Sequence, residues 1–169
     1  MSEPKDKLVQ AFNHMVDELY AALEKAEEKL SPTVDELMKN TEAGIKKLYA
    51  LTQDEARAIS QHVSRDIAHA RDYMQTEGRD FKQWLNFDIQ QVEDRFVDFL
   101  SRAADRNWLD FHSFQHHQEN FLYNTGEICG PGTLQCLSCN QNMTFSKNSR
   151  IPPCPKCHHT EFERRVAQA

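Results

Sequence analysis

Apolar residues recur at spacings of three and four through most of the first 120 residues. The first stripe consists of Leu8, Phe12, Met15, Leu19, Leu23, Ala26 and Leu30. This spacing matches the 3.6-residue repeat of an amphipathic helix. Pro32 cannot continue that helix, whereas Thr33 and Glu36 can form a capping box that begins the next one.

Four further apolar stripes follow along the chain. The second is Val34, Leu37, Met38, Ile45 and Leu48; the third, after a Thr52–Glu55 capping box, is Ala56, Ile59, Val63, Ile67, Ala70 and Met74. The fourth is Phe81, Leu85, Ile89, Val92, Phe96 and Leu100, and Asp105 can cap a shorter fifth helix with Trp108, Phe111 and Phe114. Narrow stripes joined by short connections favour antiparallel neighbours. The pattern predicts a mainly α fold, an elongated antiparallel helical bundle or set of hairpins.

The pattern changes after residue 120. Three of the five glycines fall between residues 126 and 132 and indicate turns. The short segments TLQC, MTFS and TEFERRV alternate in polarity and are typical of strands in a small antiparallel sheet. We therefore predict an α-helical region of about five helices over residues 1–120, followed by a small β unit over residues 121–169.

The cysteines identify that β unit as a candidate zinc ribbon. Four of the five form two Cys-x-x-Cys pairs separated by fourteen residues: Cys136, Cys139, Cys154 and Cys157. Four thiolates complete the tetrahedral shell of a structural zinc ion and leave no open position for catalysis. Asn140 and His158 directly follow the pairs, where a turn of this kind needs a positive φ angle. Cys129 remains as a spare thiol without an assigned role.

The small size of the β unit also argues for a metal. Its apolar residues, Leu134, Met143, Phe145, Ile151 and Phe162, form too small a core to hold a fold of that size. A structural zinc ion contributes on the order of 10–16 kcal/mol in comparable small sites. We predict one structural zinc, bound by the four paired cysteines.

Composition and charge limit the classes of function. The chain has 39% apolar and 27% charged residues, and it has no apolar run long enough to span a membrane. The clustered cysteines favour a reducing compartment, so we expect a cytoplasmic protein without membrane association. Residues 121–169 contain five basic and three acidic side chains. Since the whole chain carries a net charge of -6, residues 1–120 carry -8, which repels nucleic-acid phosphates.

The segment from residue 116 to 165 resembles the YbeL-like family of uncharacterised bacterial zinc-ribbon proteins. The matching motifs are His116-His117, Gly126-Glu127, Gly132 to Cys139, Cys154 to Cys157 and Phe162 to Arg165. One departure is His158, where the family usually has glycine. The resemblance implies a helical region followed by a zinc ribbon, and it implies no particular activity.

Two histidine groups are weaker candidates for a second metal site. His62, Asp66 and His69 are spaced to share one face of the third helix, which would suit a metal-dependent enzyme, but the chain contains no Glu-x-x-His motif. Polar residues flanking an apolar stripe are also expected on any solvated helix. His112, His116 and His117 cluster before the β unit and could bind a metal or pack between the helices and the ribbon.

A basic edge on the ribbon is the candidate partner-binding surface. It would consist of Arg150, Lys156, Arg164 and Arg165. These residues could contact nucleic acid, although a zinc ion with four thiolates has a net charge of -2 that cancels the local excess. We therefore predict a non-enzymatic binding or adaptor protein with an unknown protein partner. A nucleic-acid-associated regulator and a metal-dependent enzyme are the alternatives, and the long apolar stripes would also permit a homo-oligomer.

The zinc hypothesis predicts about one zinc per chain in freshly purified protein, because four thiolates bind a single ion. Elemental analysis checks this, and a clearly lower content would contradict it.

Cys136→Ser should unfold the ribbon while most of the helical circular dichroism signal remains.

Overall fold

The computed structural model describes residues 6–25, 34–77 and 122–165. Within them the α-helices are α1 (Lys7–Lys25), α2 (Val34–Leu48) and α3 (Gln53–Glu77). The strands are β1 (Leu122–Asn124), β2 (Ile128–Cys129), β3 (Gly132–Cys136), β4 (Asn142–Phe145), β5 (Ser149–Arg150) and β6 (Glu161–Arg165). None of the helices in the described residues is long and apolar enough to cross a membrane.

Each of the three helices contacts the other two. Their shared core contains Ala11, Phe12, Met15, Val16, Leu19, Met38, Ile45, Leu51, Ala56, Ile59, Val63 and Ile67. The stripes predicted for α1 and α3 are thus confirmed over the part of each helix whose side chains are described. Leu48 was predicted to be buried and is 61% exposed, because α2 ends there and the chain turns at Ala50, which has a φ of 50°.

The predicted capping box at the start of α3 is confirmed. The Thr52 amide donates to Glu55 Oε2 at 2.9 Å, and the Glu55 amide donates to Thr52 Oγ1 at 3.1 Å. These two bonds satisfy amides that have no partner inside the helix. They fix the residue at which α3 begins, and thus which of its faces meets α1 and α2.

The strands form two antiparallel sheets. Four strands are ordered β1-β6-β3-β4, and β2 pairs with β5 in a separate ribbon. The sequence pattern predicted β3, β4 and β6. Strands β1, β2 and β5 were missed because two or three residues are too few to show alternation. On the buried face of the larger sheet, Tyr123 lies opposite Phe162, and Phe162 lies opposite Cys136.

The prediction of a mainly α fold built as an elongated helical bundle is wrong, whereas the small C-terminal β ribbon that was predicted after it is present. In the described residues, three helices are accompanied by six strands in two sheets, and β2 packs against α1 and α3. Asp6 at the start of α1 pairs with Arg150, whose Nη2 lies 2.9 Å from Asp6 Oδ1. On α3, Arg65 and Asp66 are buried next to the apolar stripe. Sequence periodicity assigned such polar positions to solvent, whereas the ribbon covers them.

Several predictions concern residues outside the described ranges. The fourth and fifth helices, over residues 81–114, and the cluster of His112, His116 and His117 all belong there. The division into residues 1–120 and 121–169 stays a prediction for the same reason.

Gly132→Ala is expected to destabilise the protein by about 3 kcal/mol or more, the cost of disturbing a buried ion pair. Gly132 has a φ of 141°, and a Cβ there would lie 1.8 Å from Nη1 of the buried Arg164. Gly126→Ala is the matched control, because Gly126 also has a positive φ, 92°, but no atom within 4 Å of the added carbon. It should cost only about 1 kcal/mol. Equal losses in urea unfolding would contradict the steric argument.

Candidate metal centre and the buried interface beside it

The two Cys-x-x-Cys pairs form matching turns, here called the knuckles, at residues 136–140 and 154–158. In the first, the Asn140 amide donates to the Cys136 carbonyl at 3.0 Å; in the second, the His158 amide donates to the Cys154 carbonyl at 2.9 Å. Asn140 and His158 have φ angles of 59° and 62°, so the predicted positive φ is confirmed at both positions. The equivalent turns present two pairs of thiols towards one point.

The four thiols meet in a cluster that fits one zinc ion. All four Sγ atoms lie within 4.8 Å of one another. The distances across the knuckles are 3.6 Å from Cys136 to Cys157 and 3.5 Å from Cys139 to Cys154. A tetrahedral Zn–S₄ centre with bonds of about 2.3 Å has sulfur–sulfur edges of about 3.8 Å. The donor set is therefore that of a single structural zinc site.

The protonation of the thiols also favours a cation. Burial acts against ionisation of Cys154, but backbone amides of Cys157 and Lys156 donate to its sulfur and lower its pKa to about 6. Burial, together with the neighbouring thiols, raises the pKa of Cys139 to about 12. Adjacent thiolates repel one another, so the cluster loses a second proton with difficulty. A divalent ion removes this conflict because it holds all four sulfurs as thiolates.

A buried carboxylate joins the ribbon to α3. Asp66 is 1% exposed, and its Oδ1 accepts a hydrogen bond of 2.8 Å from the Tyr123 hydroxyl. Its Oδ2 accepts a hydrogen bond of 2.7 Å from the Gly130 amide. Nη2 of Arg164 lies 3.4 Å from Oδ1. Every one of these partners belongs to the ribbon, and Arg65 Nε of α3 itself lies 3.9 Å from Oδ1. The carboxylate therefore loses its hydrogen-bond partners in the ribbon and the nearer arginine when the ribbon undocks.

The preceding residue of α3 makes a second set of contacts with the ribbon. Arg65 Nη1 donates to Glu127 Oε2 at 2.5 Å, and its Nη2 donates to the Ile128 carbonyl at 3.0 Å. Its guanidinium carbon lies 3.9 Å from the centroid of the Tyr123 ring, a cation–π contact. We call Arg65, Asp66, Tyr123, Glu127 and Arg164 the interface network. Two arginines and two carboxylates give it a formal charge of zero.

Arg164 lies inside the fold and cannot be part of an exposed basic edge. Its side chain is 0% exposed, its Nη1 donates to the Pro131 carbonyl at 2.7 Å, and its Nε donates to the Tyr123 hydroxyl at 3.1 Å. Burial opposes its charge, yet Tyr123 and Asp66 raise its pKa above the ordinary value.

The other three residues of the predicted basic edge have separate environments. Arg150 is paired with Asp6 of α1. Lys156 lies in the second knuckle and Arg165 at the end of β6, and both are exposed. The edge was inferred from positions along the chain. Because side chains alternate along β6, Arg164 points inwards and Arg165 outwards. The four residues of the predicted basic edge therefore do not form one surface.

The helical histidines contribute to the interface rather than to a ligand cluster. His62 Nδ1 accepts a hydrogen bond from the Ile128 amide at 3.3 Å, and its Nε2 lies 3.8 Å from Glu127 Oε1. Asp66 is already engaged by the ribbon. Within residues 6–25, 34–77 and 122–165, only the four cysteines bring three or more metal-binding side chains together.

Cys129 is a buried thiol beside the interface network. It is 0% exposed, and burial, with the nearby charge of Asp66, raises its pKa to about 12. A thiol that stays protonated is a poor nucleophile and a poor metal ligand. Its role is to fill space in the core of the ribbon.

Comparison with known proteins agrees with the geometry of the cysteine cluster. A family model described as a zinc-ribbon containing domain, DUF1451, matches residues 21–166. Two curated relatives, "Uncharacterized protein YbeL" from Escherichia coli strains K12 and CFT073, are each 24% identical over 162 residues. The alignments cover 95% of this chain and 97% of each relative. No solved structure matches the chain significantly. The predicted resemblance is confirmed and extends into the helical region.

The interface histidines predict a loss of stability in mild acid. Burial, followed by the charge of Arg65, lowers the pKa of His62 to about 4; burial and Arg164 lower that of His69 to about 3. Since both pKa values lie below the unfolded value of 6.5, the unfolded chain binds more protons as the pH falls. Stability should be complete above pH 6.5 and decline towards pH 4, by roughly 1–2 kcal/mol per histidine at pH 5.

Urea unfolding at several pH values, with zinc content followed in parallel, measures this decline. The double variant His62→Gln/His69→Gln should show a flatter profile, whereas His14→Gln, a partly exposed histidine on α1, should keep the original slope. An unchanged slope in the double variant would contradict the assignment.

Proposed function

Because the chain belongs to the zinc-ribbon containing domain family, we propose that it is a non-enzymatic binding or adaptor protein in which zinc is structural. The observation that carries this proposal is the closed set of four cysteines, since four thiolates leave no coordination position for a substrate or water. The ion holds the ribbon in shape, and the ribbon presents a surface to another protein.

The surface that best fits this role is the zinc tip, defined as the residues between the paired cysteines: Leu137, Ser138, Pro155 and Lys156. All four are exposed, and Leu137 is 42% exposed. In contrast, β2 of the ribbon contacts α1 and α3, so that strand is not available to a partner. A leucine and a proline next to a lysine suit a partner that offers an apolar side chain with an acidic neighbour.

A nucleic-acid-associated regulator is the second candidate. Two basic residues of the ribbon, Lys156 and Arg165, are exposed and carry this alternative. The acidic helical region works against it, because residues 1–120 have a formal charge of -8. A metal-dependent enzyme using His62 and His69 receives less support, since Asp66 between them is held by the ribbon. That function would require a second metal equivalent, lost on replacement of either histidine.

Affinity capture with the full zinc-loaded chain tests the adaptor role. The tip variant Leu137→Ser/Lys156→Glu removes an exposed leucine and reverses a charge. The matched control, Leu48→Ser/Lys47→Glu, makes the same two changes at the exposed end of α2. The capture uses an extract of the source cells. We expect the amount of the captured partner to fall by about tenfold or more with the tip variant, as for a central contact residue, and to stay unchanged with the control.

Two outcomes would contradict the adaptor proposal. Equal capture by both variants would remove the zinc tip from the interface. Recovery of DNA or RNA instead, with binding that falls steeply between about 50 and 200 mM salt, would favour the regulator. Both variants should retain one zinc per chain, which separates loss of the surface from loss of the fold.

A further inference from the structure

The ribbon has an apolar core of its own, and only part of the ribbon is in apolar contact with the helices. Ile128, a buried residue outside the ribbon core, lies on β2, the strand that contacts α1 and α3. The ribbon core consists of Tyr123, Cys129, Leu134, Cys136, Ile151, Cys154 and Phe162. The helical core is formed by residues of α1, α2 and α3 and the turn before α3. Between the two cores lies the interface network, whose charges balance. Opening an apolar contact exposes hydrocarbon to water, whereas paired charges regain hydration when they separate. This layer is therefore the natural place for the structure to open.

The side of the network that belongs to the ribbon is held in position through the zinc site. Phe162 lies opposite the zinc ligand Cys136 on one neighbour and opposite Tyr123 on the other. Arg164 follows Phe162 by two residues on β6, so both side chains share the buried face. The Leu137 amide of the first knuckle donates to the Glu161 carbonyl at 3.2 Å. Loss of the ion would therefore loosen β6, which carries Arg164, and with it the paired strand β1, which carries the Tyr123 hydroxyl.

We propose that zinc occupancy controls the docking of the ribbon on α3. Without zinc, the ribbon separates from α3. The polar face of that helix, which consists of His62, Arg65, Asp66 and His69, then becomes exposed to solvent. The three helices stay folded because each of them packs on the other two, and undocking removes mainly the contact with Ile128 of β2. The protein thus has a zinc-dependent device that uncovers a charged helix surface, whichever partner the zinc tip binds.

The same coupling must act in the reverse direction. If zinc stabilises the docked state by some factor, then breaking the interface network weakens zinc binding by that factor. Asp66→Asn changes only α3 and leaves every residue of the ribbon in place. A simple metal site would be indifferent to that substitution, since Asp66 is not a ligand.

Zinc removal from the full chain tests the first half of the proposal. A chelator is added, and histidine titrations by NMR are compared with the circular dichroism signal of the helices. With zinc, His62 and His69 should titrate below pH 5, as their pKa values of about 4 and 3 require. Without zinc, both should move close to 6.5 while most helicity remains.

Zinc affinity, measured by chelator competition, tests the second half. Asp66→Asn and Arg164→Gln should each weaken zinc binding by about tenfold or more. Arg165→Gln is the matched control, because Arg165 is the next residue of β6 and its side chain is exposed; its affinity should stay within about twofold of the original. Asp66→Asn keeps the test valid even if the Arg164 variant fails to form a ribbon.

Three results would overturn the proposal. The histidines could keep their low pKa values in the zinc-free chain, which would mean that docking does not depend on zinc. Helicity could disappear together with zinc in one transition, which would indicate global unfolding instead of undocking. Unchanged zinc affinity in Asp66→Asn would show that the two sites are not coupled.

Discussion

The buried pairing of Asp66 with Arg164 joins the helical region to the ribbon. An unpaired charge inside a protein costs several kcal/mol, so each of these side chains requires the other. Their meeting needs the Tyr123 hydroxyl between them and a residue without a side chain at Gly132. It also brings α3 against the buried face of the larger sheet. Together with the contacts of Arg65 with Glu127 and of Asp6 with Arg150, this pairing sets the orientation of the helices relative to the ribbon.

Zinc and the interface network stabilise different parts of the protein. Four thiolates around one ion replace the apolar core that the ribbon is too small to form. The network adds little net stability, because its charges lose hydration when they pair, but it selects one docked arrangement. The motifs shared with the YbeL-like family divide in the same way. The cysteine pairs bind the ion, whereas Glu127, Gly132 and Arg164 form part of the interface with α3.

Two candidate sites have surroundings in the folded chain that differ from those predicted from the sequence. His62, Asp66 and His69 share a helix face, as their spacing predicted, but that face is covered by the ribbon and binds its backbone and side chains. The four arginine and lysine residues of the predicted basic edge have three different environments. Charged residues next to an apolar stripe are usually solvated, and no local pattern distinguishes the few that become buried by a distant segment.

The zinc site and the local elements could be predicted from the order of residues along the chain. The spacing of the cysteines, the residues after each pair and the Thr52–Glu55 capping box each depend on neighbours within a few positions, so they could be predicted. The contact between the helices and the ribbon, in contrast, depends on residues that are far apart along the chain. Asp66 and Arg164 lie 98 positions apart, and the partner that makes their burial favourable exists only after both parts have folded. For that reason the helical periodicity predicted an elongated molecule, whereas the ribbon contacts α1 and α3 and pairs its buried charges with those of α3.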